Sequence, residues 1–485
     1  MSMPRIVLID VGGWQGGLGR GVHYPNIGIA YLAAALQRAG YGVTVLDLNN
    51  EYLSEEEILT SLQSGQADLV GLSVKTATMG SARRLGALIK SRYPRLPLVV
   101  GGPHASVATT EIAKEPWVDY LLVGEGELAL AELGYRVAGG MLTEGVTGVV
   151  FCRTDHPLPP SVPARVPCLD DLEYPDFSVF GSGVIEAVRQ SYPIITSRGC
   201  PYQCTYCSVR KISGSTVRYR SPEAVVDELD RARQEYGIRG FEVVDDSFNV
   251  DMTRSKDICR LLIERGLVMP WSCPNGIRAD RIDAELATLM ARSGCLAVMI
   301  GIESADHDVL AAVKKGESIE AIEKGIRVLK EAGLGVGGFF IIGLPGDSYR
   351  AQLRSVDFAL KHGISAHFNM LVPYPGTEVY DWVVSHGRFL EPGSGGMHFS
   401  DSKVRPVFET DGFTARERQR AYEMAHTRLR RFDMLIPHTV PVWRRRLEVA
   451  RLMLRYDAGS LLPAAVKAMV RAAIGSRNVA TQRED

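Results

Sequence analysis

Along residues 5–138, short β-branched runs alternate with longer stretches whose apolar positions recur every three or four residues. That is the pattern of a parallel sheet covered by helices. Five strands are predicted: Arg5–Asp10, Val43–Asp47, Leu69–Val74, Leu98–Gly102 and Tyr120–Val123. Each ends in a Gly, Asp or Ser cluster. In an open sheet of this kind a ligand lies beyond the carboxyl ends of the strands, so Gly71, Ser73, Gly101, Gly102, Gly124 and Gly126 form the expected binding rim. From Phe151 to about Ser191 the period fades and prolines accumulate at 157, 159, 160, 163, 167 and 175, which predicts a linker.

A second alternating series follows. Its strands are Pro193–Ser197, Gly240–Val244, Trp271–Cys273, Leu296–Ile302, Val336–Ile342 and Ala366–Leu371, with helices such as Pro222–Tyr236, Arg254–Arg265 and Ile319–Ala332 between them. Six strand–helix units imply a barrel or curved partial barrel with its chemistry at the carboxyl-end face. Beyond about Ser400 the chain turns Arg-rich and helical, with no strand to extend the barrel. The expected fold is α/β, divided into a Rossmann-like unit (1–150), a linker (151–190), a partial (β/α)6 barrel (191–400) and a basic helical region (401–485).

Composition adds limits. With 485 residues, 46% hydrophobic and 23% charged, the chain has ordinary globular usage and enough length for two or three cores, so disorder is a poor reading. Its start lacks a secretory pattern, and no uncharged run approaches the roughly 18 residues of a membrane span. A soluble, cytoplasmic protein with no nucleic-acid partner is expected. Formal net charge is −1, but Thr414–Asp485 carries 15 Lys and Arg against 7 Asp and Glu. This is a solvated basic tail, or a surface that meets an anionic membrane or a partner through Arg444, Arg445, Arg446, Arg451 and Arg455 beside Trp443.

The cysteines change the picture. Three of the eight, Cys200, Cys204 and Cys207, stand at spacings of four and three directly after the first barrel strand. Chance places three at preset spacing in roughly one such chain in 450. Zinc is the rival reading, but structural zinc prefers paired hooks supplying four ligands, and no fourth Cys or His is near. Three thiolates suit an iron–sulfur cluster with one iron left open. Cys152, Cys168, Cys259, Cys273 and Cys295 are scattered and read as small hydrophobes. Cys273, at a predicted strand end, is the one worth testing first.

The run Cys200-Pro201-Tyr202-Gln203-Cys204-Thr205-Tyr206-Cys207 on the first strand-to-helix loop of such a barrel resembles the radical S-adenosylmethionine (SAM) superfamily, over roughly residues 191–380. The resemblance implies a [4Fe–4S] cluster whose open iron takes the methionine end of SAM, and cleavage of the cofactor to an adenosyl radical. It places Tyr206 near the adenine. It places Asp245 and Asp246, in the position of the commoner Gly-Gly-Glu, at the methionine amino group, and Glu303 and Ser304 at the ribose or methionine end. Backbone groups around Ile341 and Gly343 fall beside the adenine. Without the resemblance, a Glu at a strand end is as readily a solvated carboxylate, and Leu344-Pro345-Gly346 a turn.

Residues 4–138 resemble the cobalamin-binding domains that precede a large class of these enzymes, through Pro25-Asn26-Ile27-Gly28, Gly71-Leu72-Ser73-Val74, Gly101-Gly102-Pro103-His104 and Gly124-Glu125-Gly126-Glu127. A nicotinamide dinucleotide fits less well, since Gly12, Gly13, Gly16, Gly17, Gly19 and Gly21 lack the G-x-G-x-x-G spacing. Asp10-Val11-Gly12 has no His of the Asp-x-His-x-x-Gly type, so lower-face ligation of cobalt is not expected, and His23 and His104 read as structural. Together the resemblances imply a cobalamin-dependent radical SAM methyltransferase acting on an unactivated carbon of a small-molecule or lipid-like substrate, with an external one-electron donor of flavodoxin or ferredoxin type. Oxidative cyclisation or ring rearrangement uses the same parts. A non-catalytic corrinoid or metal-binding protein is the alternative of another class.

Overall fold

The β-branched runs of the front third form β1 (Arg5–Asp10), β2 (Gly42–Asp47), β3 (Leu69–Ser73), β4 (Leu98–Gly101) and β5 (Tyr120–Leu122), within one residue of the predicted bounds. The computed structural model describes residues 4–12, 25–51, 53–153, 162–390, 405–429 and 449. Gly13, Gly16, Gly17, Gly19, Gly21, His23 and the basic residues Arg444, Arg445, Arg446, Arg451 and Arg455 with Trp443 lie outside them.

The front sheet runs β2-β1-β3-β4-β5-β6 and is parallel except for β6 (Val149–Phe151), which pairs antiparallel with β5. The pattern does not predict β6, because three residues are too few to show a period. The chain leaves β1 for β2 on one side and β3 on the other, and the crevice of an open α/β sheet lies at such a reversal. Register aligns Asp10 with Asp47 and Ser73, and Ser73 with Gly101, so the strand ends form one rim. Both faces are covered, which is why the strands read as continuous apolar runs.

Residues 162–191 are structured. Ala164 bridges to Gly124 at the rim, and a helix spans Ser182–Gln190. Phe177 packs edge-on to Tyr192 with ring centroids 5.4 Å apart, so one apolar core continues from the front sheet into the barrel.

The second sheet is wholly parallel and ordered β14-β13-β12-β11-β10-β7: β7 (Tyr192–Ile194), β10 (Phe241–Val243), β11 (Trp271–Ile277), β12 (Cys295–Glu303), β13 (Gly335–Ile342) and β14 (Ser365–Met370). It is an arc, with no pairing between β14 and β7. Pro193–Ser197 divides: its end leaves the sheet as β8 (Ser197–Arg198), which pairs antiparallel with β9 (Arg218–Tyr219). The helix Pro222–Tyr236 has its predicted bounds, with Ser221 capping its first turn and Gly237 in the left-handed region at its end.

The strand holding Cys273 is longer than predicted. Pro274-Asn275-Gly276 reads as a turn, but β11 passes through it with an irregularity in pairing and continues to Ile277. Cys273 is therefore mid-strand and buried, with its thiol pushed up by desolvation, and not the strand-end group expected. Past residue 400, β16 (Phe408–Thr410) pairs with β15 (Gly387–Phe389) outside the barrel, and the helix Ala415–Arg428 follows. No described helix is long and apolar enough to cross a membrane.

Candidate active site

The cysteine loop leaves the β8–β9 ribbon through Gly199, whose φ of +100° and a would-be Cβ only 2.4 Å from the Thr216 carbonyl oxygen exclude a side chain. Backbone bonds pin the loop. The Cys200 amide donates to Gly214 O at 3.1 Å, that of Thr205 to Val313 O at 3.1 Å, and that of Cys207 to Cys204 O at 3.2 Å. All three thiols are half-buried and outside any disulfide. Burial pushes Cys200 up and Cys207 to about 12, so thiolates here need a cation beside them. Among the described residues no three His, Cys, Asp or Glu side chains gather about one point as a single-ion site requires. Three thiols on one short loop suit a cluster, which offers each its own iron.

Asp245 and Asp246 follow β10 but differ. The buried Asp245 carboxylate accepts from the Thr196 amide (2.6 Å), Thr196 Oγ1 (2.6 Å) and Ser197 Oγ (2.7 Å). These bonds hold the chain ahead of the cysteines. Asp246 accepts the Gly199 amide at 3.1 Å, lines the main cleft, and is pushed up by burial.

Glu303 ends β12 at φ +66°, an unusual conformation for a non-glycine residue that strained sites favour. Tyr206 bonds to it, with burial first among the causes that raise the phenol's pKa. Lys315 Nζ lies 3.2 Å from Glu303 Oε1 and 3.4 Å from Glu317 Oε2, all three buried. Gly301 leaves room for this pair: a Cβ there would stand 2.6 Å from Glu303 Oε1. Arg278, 3.8 Å above the ring of Tyr202 in the cysteine loop, donates to Lys315 O at 2.9 Å and to both oxygens of Asp280. Sequence reasoning missed Lys315 and Arg278. Their only signal is the polar run Lys314-Lys315-Gly316-Glu317 after an apolar helix.

Three of the groups expected at the cofactor have partners within the chain. Ser304 is wholly inaccessible, its hydroxyl accepting from the Asp306 amide at 3.2 Å, so it shapes a turn. The Gly343 amide donates to Asp347 Oδ2 at 2.7 Å, and Ile341 O accepts from Gln352 at 3.1 Å.

A cleft of about 320 Å³ lies between the carboxyl end of the front sheet and the barrel. All six rim residues, Gly71, Ser73, Gly101, Gly102, Gly124 and Gly126, line it, with Asn26 and Gly28 from the first helix and Arg198 and Asp246 from the barrel side. A Cβ on Gly101 would meet only Leu122, at 3.9 Å, and would project into open space. Glu127 Oε2 is buried at the wall with no partner. His104 does not line the cleft; its Nδ1 lies 3.1 Å from Thr76 Oγ1 and burial lowers it to about 4.

The family model of the Radical SAM superfamily matches residues 194–373, and that of the B12 binding domain matches residues 18–134. The chain is a radical SAM protein with a B12-binding domain in front. An uncharacterised methyltransferase of Pyrococcus horikoshii is 28% identical, over 81% of this chain and 85% of its own. Cytidylyl-2-hydroxyethylphosphonate methyltransferase of Streptomyces wedmorensis is 29% identical, over 76% and 79%. Among solved structures, the radical SAM methyltransferase TsrM of Kitasatospora setae, with tryptophan substrate and a SAM analogue bound, superimposes with a TM-score of 0.68 at 20% identity, covering 80% of this chain and 78% of that one. The last is a likeness of fold.

A [4Fe–4S] cluster, SAM and cobalamin are the cofactors of this domain pair. The thiols of Cys200, Cys204 and Cys207 fit the first. The B12-binding domain supplies a glycine-rich rim and a carboxylate oxygen without a partner among the described residues, which fit the last.

Proposed function

We propose that the chain is a cobalamin-dependent radical SAM methyltransferase that methylates an unactivated carbon of a small molecule. One observation carries the reading: the glycine rim of the B12-binding domain and Asp246, hydrogen-bonded to Gly199 beside the first cluster cysteine, line a single cleft. When bound, the cluster supplies the electron that splits SAM into a hydrogen-abstracting radical, and methylcobalamin supplies the methyl group. The protein's part is binding, orientation and exclusion of water.

Cys200, Cys204 and Cys207 hold the cluster in this reading. Asp246, which lines the cleft, receives the methionine ammonium, while Asp245 is buried and held by three donors from Thr196 and Ser197. Lys315 holds Glu303 beside Tyr206, so an arriving ribose or adenine meets a fixed carboxylate. The reducing electron comes from a flavodoxin- or ferredoxin-type donor.

Anaerobic reconstitution with iron and cobalt counted separately, followed by a reductant-dependent assay for 5′-deoxyadenosine and a product mass increase of 14, tests the reading. We expect iron, cobalt and cleavage in the native protein, and loss of iron and cleavage in Cys204→Ala. Zinc in place of iron, or cleavage undiminished in Cys204→Ala, would sink it. Cleavage with an unmethylated product would move it to a cyclase.

A further inference from the structure

The barrel side of the cleft ends in a charged contact that neither cofactor motif requires. Arg198 and Arg218 are cross-strand partners in the β8–β9 ribbon, where like charges repel. Opposite them, on the turn after β5, stand Glu125 and Glu127. Arg198 donates to Glu127 Oε1 at 2.7 Å and lies 3.5 Å from Glu125 Oε2; Arg218 grips both oxygens of Glu125, one at 2.7 Å. The four side chains are only 5–15% exposed. Each pair is repulsive alone, and the group is neutral only when ribbon and turn meet.

Arg198 reaches further than its ion pairs. Its guanidinium carbon lies 5.2 Å from the ring centroid of Tyr31, on the helix Ile27–Arg38 whose start borders the cleft. It stands two residues before Cys200. One side chain at the root of the cysteine loop thus touches Glu127, which lines the other cofactor's cleft, and Tyr31, on the helix whose Ile27, Gly28, Ile29 and Leu32 line it.

We propose that Arg198 is a positioning residue that couples the two cofactor sites: ordering the cysteine loop around its cluster holds Glu125 and Glu127, and through Tyr31 the helix Ile27–Arg38, in place around the corrin cleft. The proposal rests on the functional reading above. Binding at a site that another ligand has already ordered spends less freedom, so occupancy of the two sites is cooperative. A buried guanidinium suits this role because moving the loop away leaves carboxylates without a counter-charge.

The test is a spectrophotometric titration of the full chain with hydroxocobalamin, anaerobically, before and after cluster reconstitution. Cluster loading is expected to tighten corrinoid binding at least about fivefold in the native protein, the lower end of ordinary coupling, and by less than about twofold in Arg198→Met. Arg198→Lys, which keeps one ion pair, should regain part of the effect, as no merely space-filling role predicts. Should Arg198→Met fold poorly, the charge-balanced R198M/E127Q protein takes its place with the same expectation. Equal coupling in native and variant, or none in the native protein, overturns the proposal and leaves the functional reading standing. A native protein that takes up no corrinoid overturns both.

Discussion

Asp245 and Asp246 sit side by side, yet their environments assign them opposite work. Asp245→Ala strands three donors in the core and should cost about 3 kcal/mol in denaturant unfolding. Asp246→Asn keeps its shape and should leave stability within about 0.5 kcal/mol, while weakening SAM binding to the reconstituted protein about tenfold, by calorimetry. The sequence shows the pair but cannot divide its roles, because the three donors to Asp245 come from Thr196 and Ser197, about fifty residues upstream. Lys315 escaped although its partners Glu303 and Glu317 are near in sequence, because a lysine beside a glutamate reads as an ordinary surface pair until β12 brings Glu303 to it. His104 carries a pH signature. Folded, it stays neutral down to about 4, whereas an unfolded imidazole takes its proton near 6.5. Stability therefore falls as pH drops through that window, by on the order of 2–3 kcal/mol. His104→Gln should lose less than the native protein between pH 7 and 4.5 in urea melts. Asp347, raised to about 6, acts with the opposite sign, and comparing variant with parent cancels it.

At the scale of elements, the helix Ile319–Glu331 lies on the turn Ala279–Arg281 backbone to backbone, since a Cβ on Gly325 would come within 2.4 Å of Ala279 O. That turn is continuous with Arg278, whose guanidinium supports the cysteine loop through Tyr202. Gly325→Ala should cost about 2 kcal/mol by overpacking and lower the iron retained on reconstitution, measured per chain. Strands and capped helices were legible to within a residue or two because periodicity, Ser221 and Gly237 are local signals. β6 and the continuation of β11 were not. The first is three residues long, and the second crosses Pro274-Asn275-Gly276, an irregularity after which pairing with β12 resumes at Ile277.

Across the whole molecule, the glycine rim was readable because small residues at strand ends are spelled out in the chain. That a second domain would close over them was only implied. The cleft yields a prediction at this scale. Hydroxocobalamin at a hundred times its Kd should stabilise the native protein by about 2.7 kcal/mol. Gly101→Val, filling open space, should abolish that gain without lowering the melting point of the unloaded protein. The arc of six parallel strands has one further consequence. A closed barrel has its radius set by strand number and stagger, but a sheet with β14 and β7 unpaired at its ends carries no such constraint. Its curvature is set instead by the twist between neighbours and by what packs on the two ends, such as the helix Ala415–Arg428 on β14.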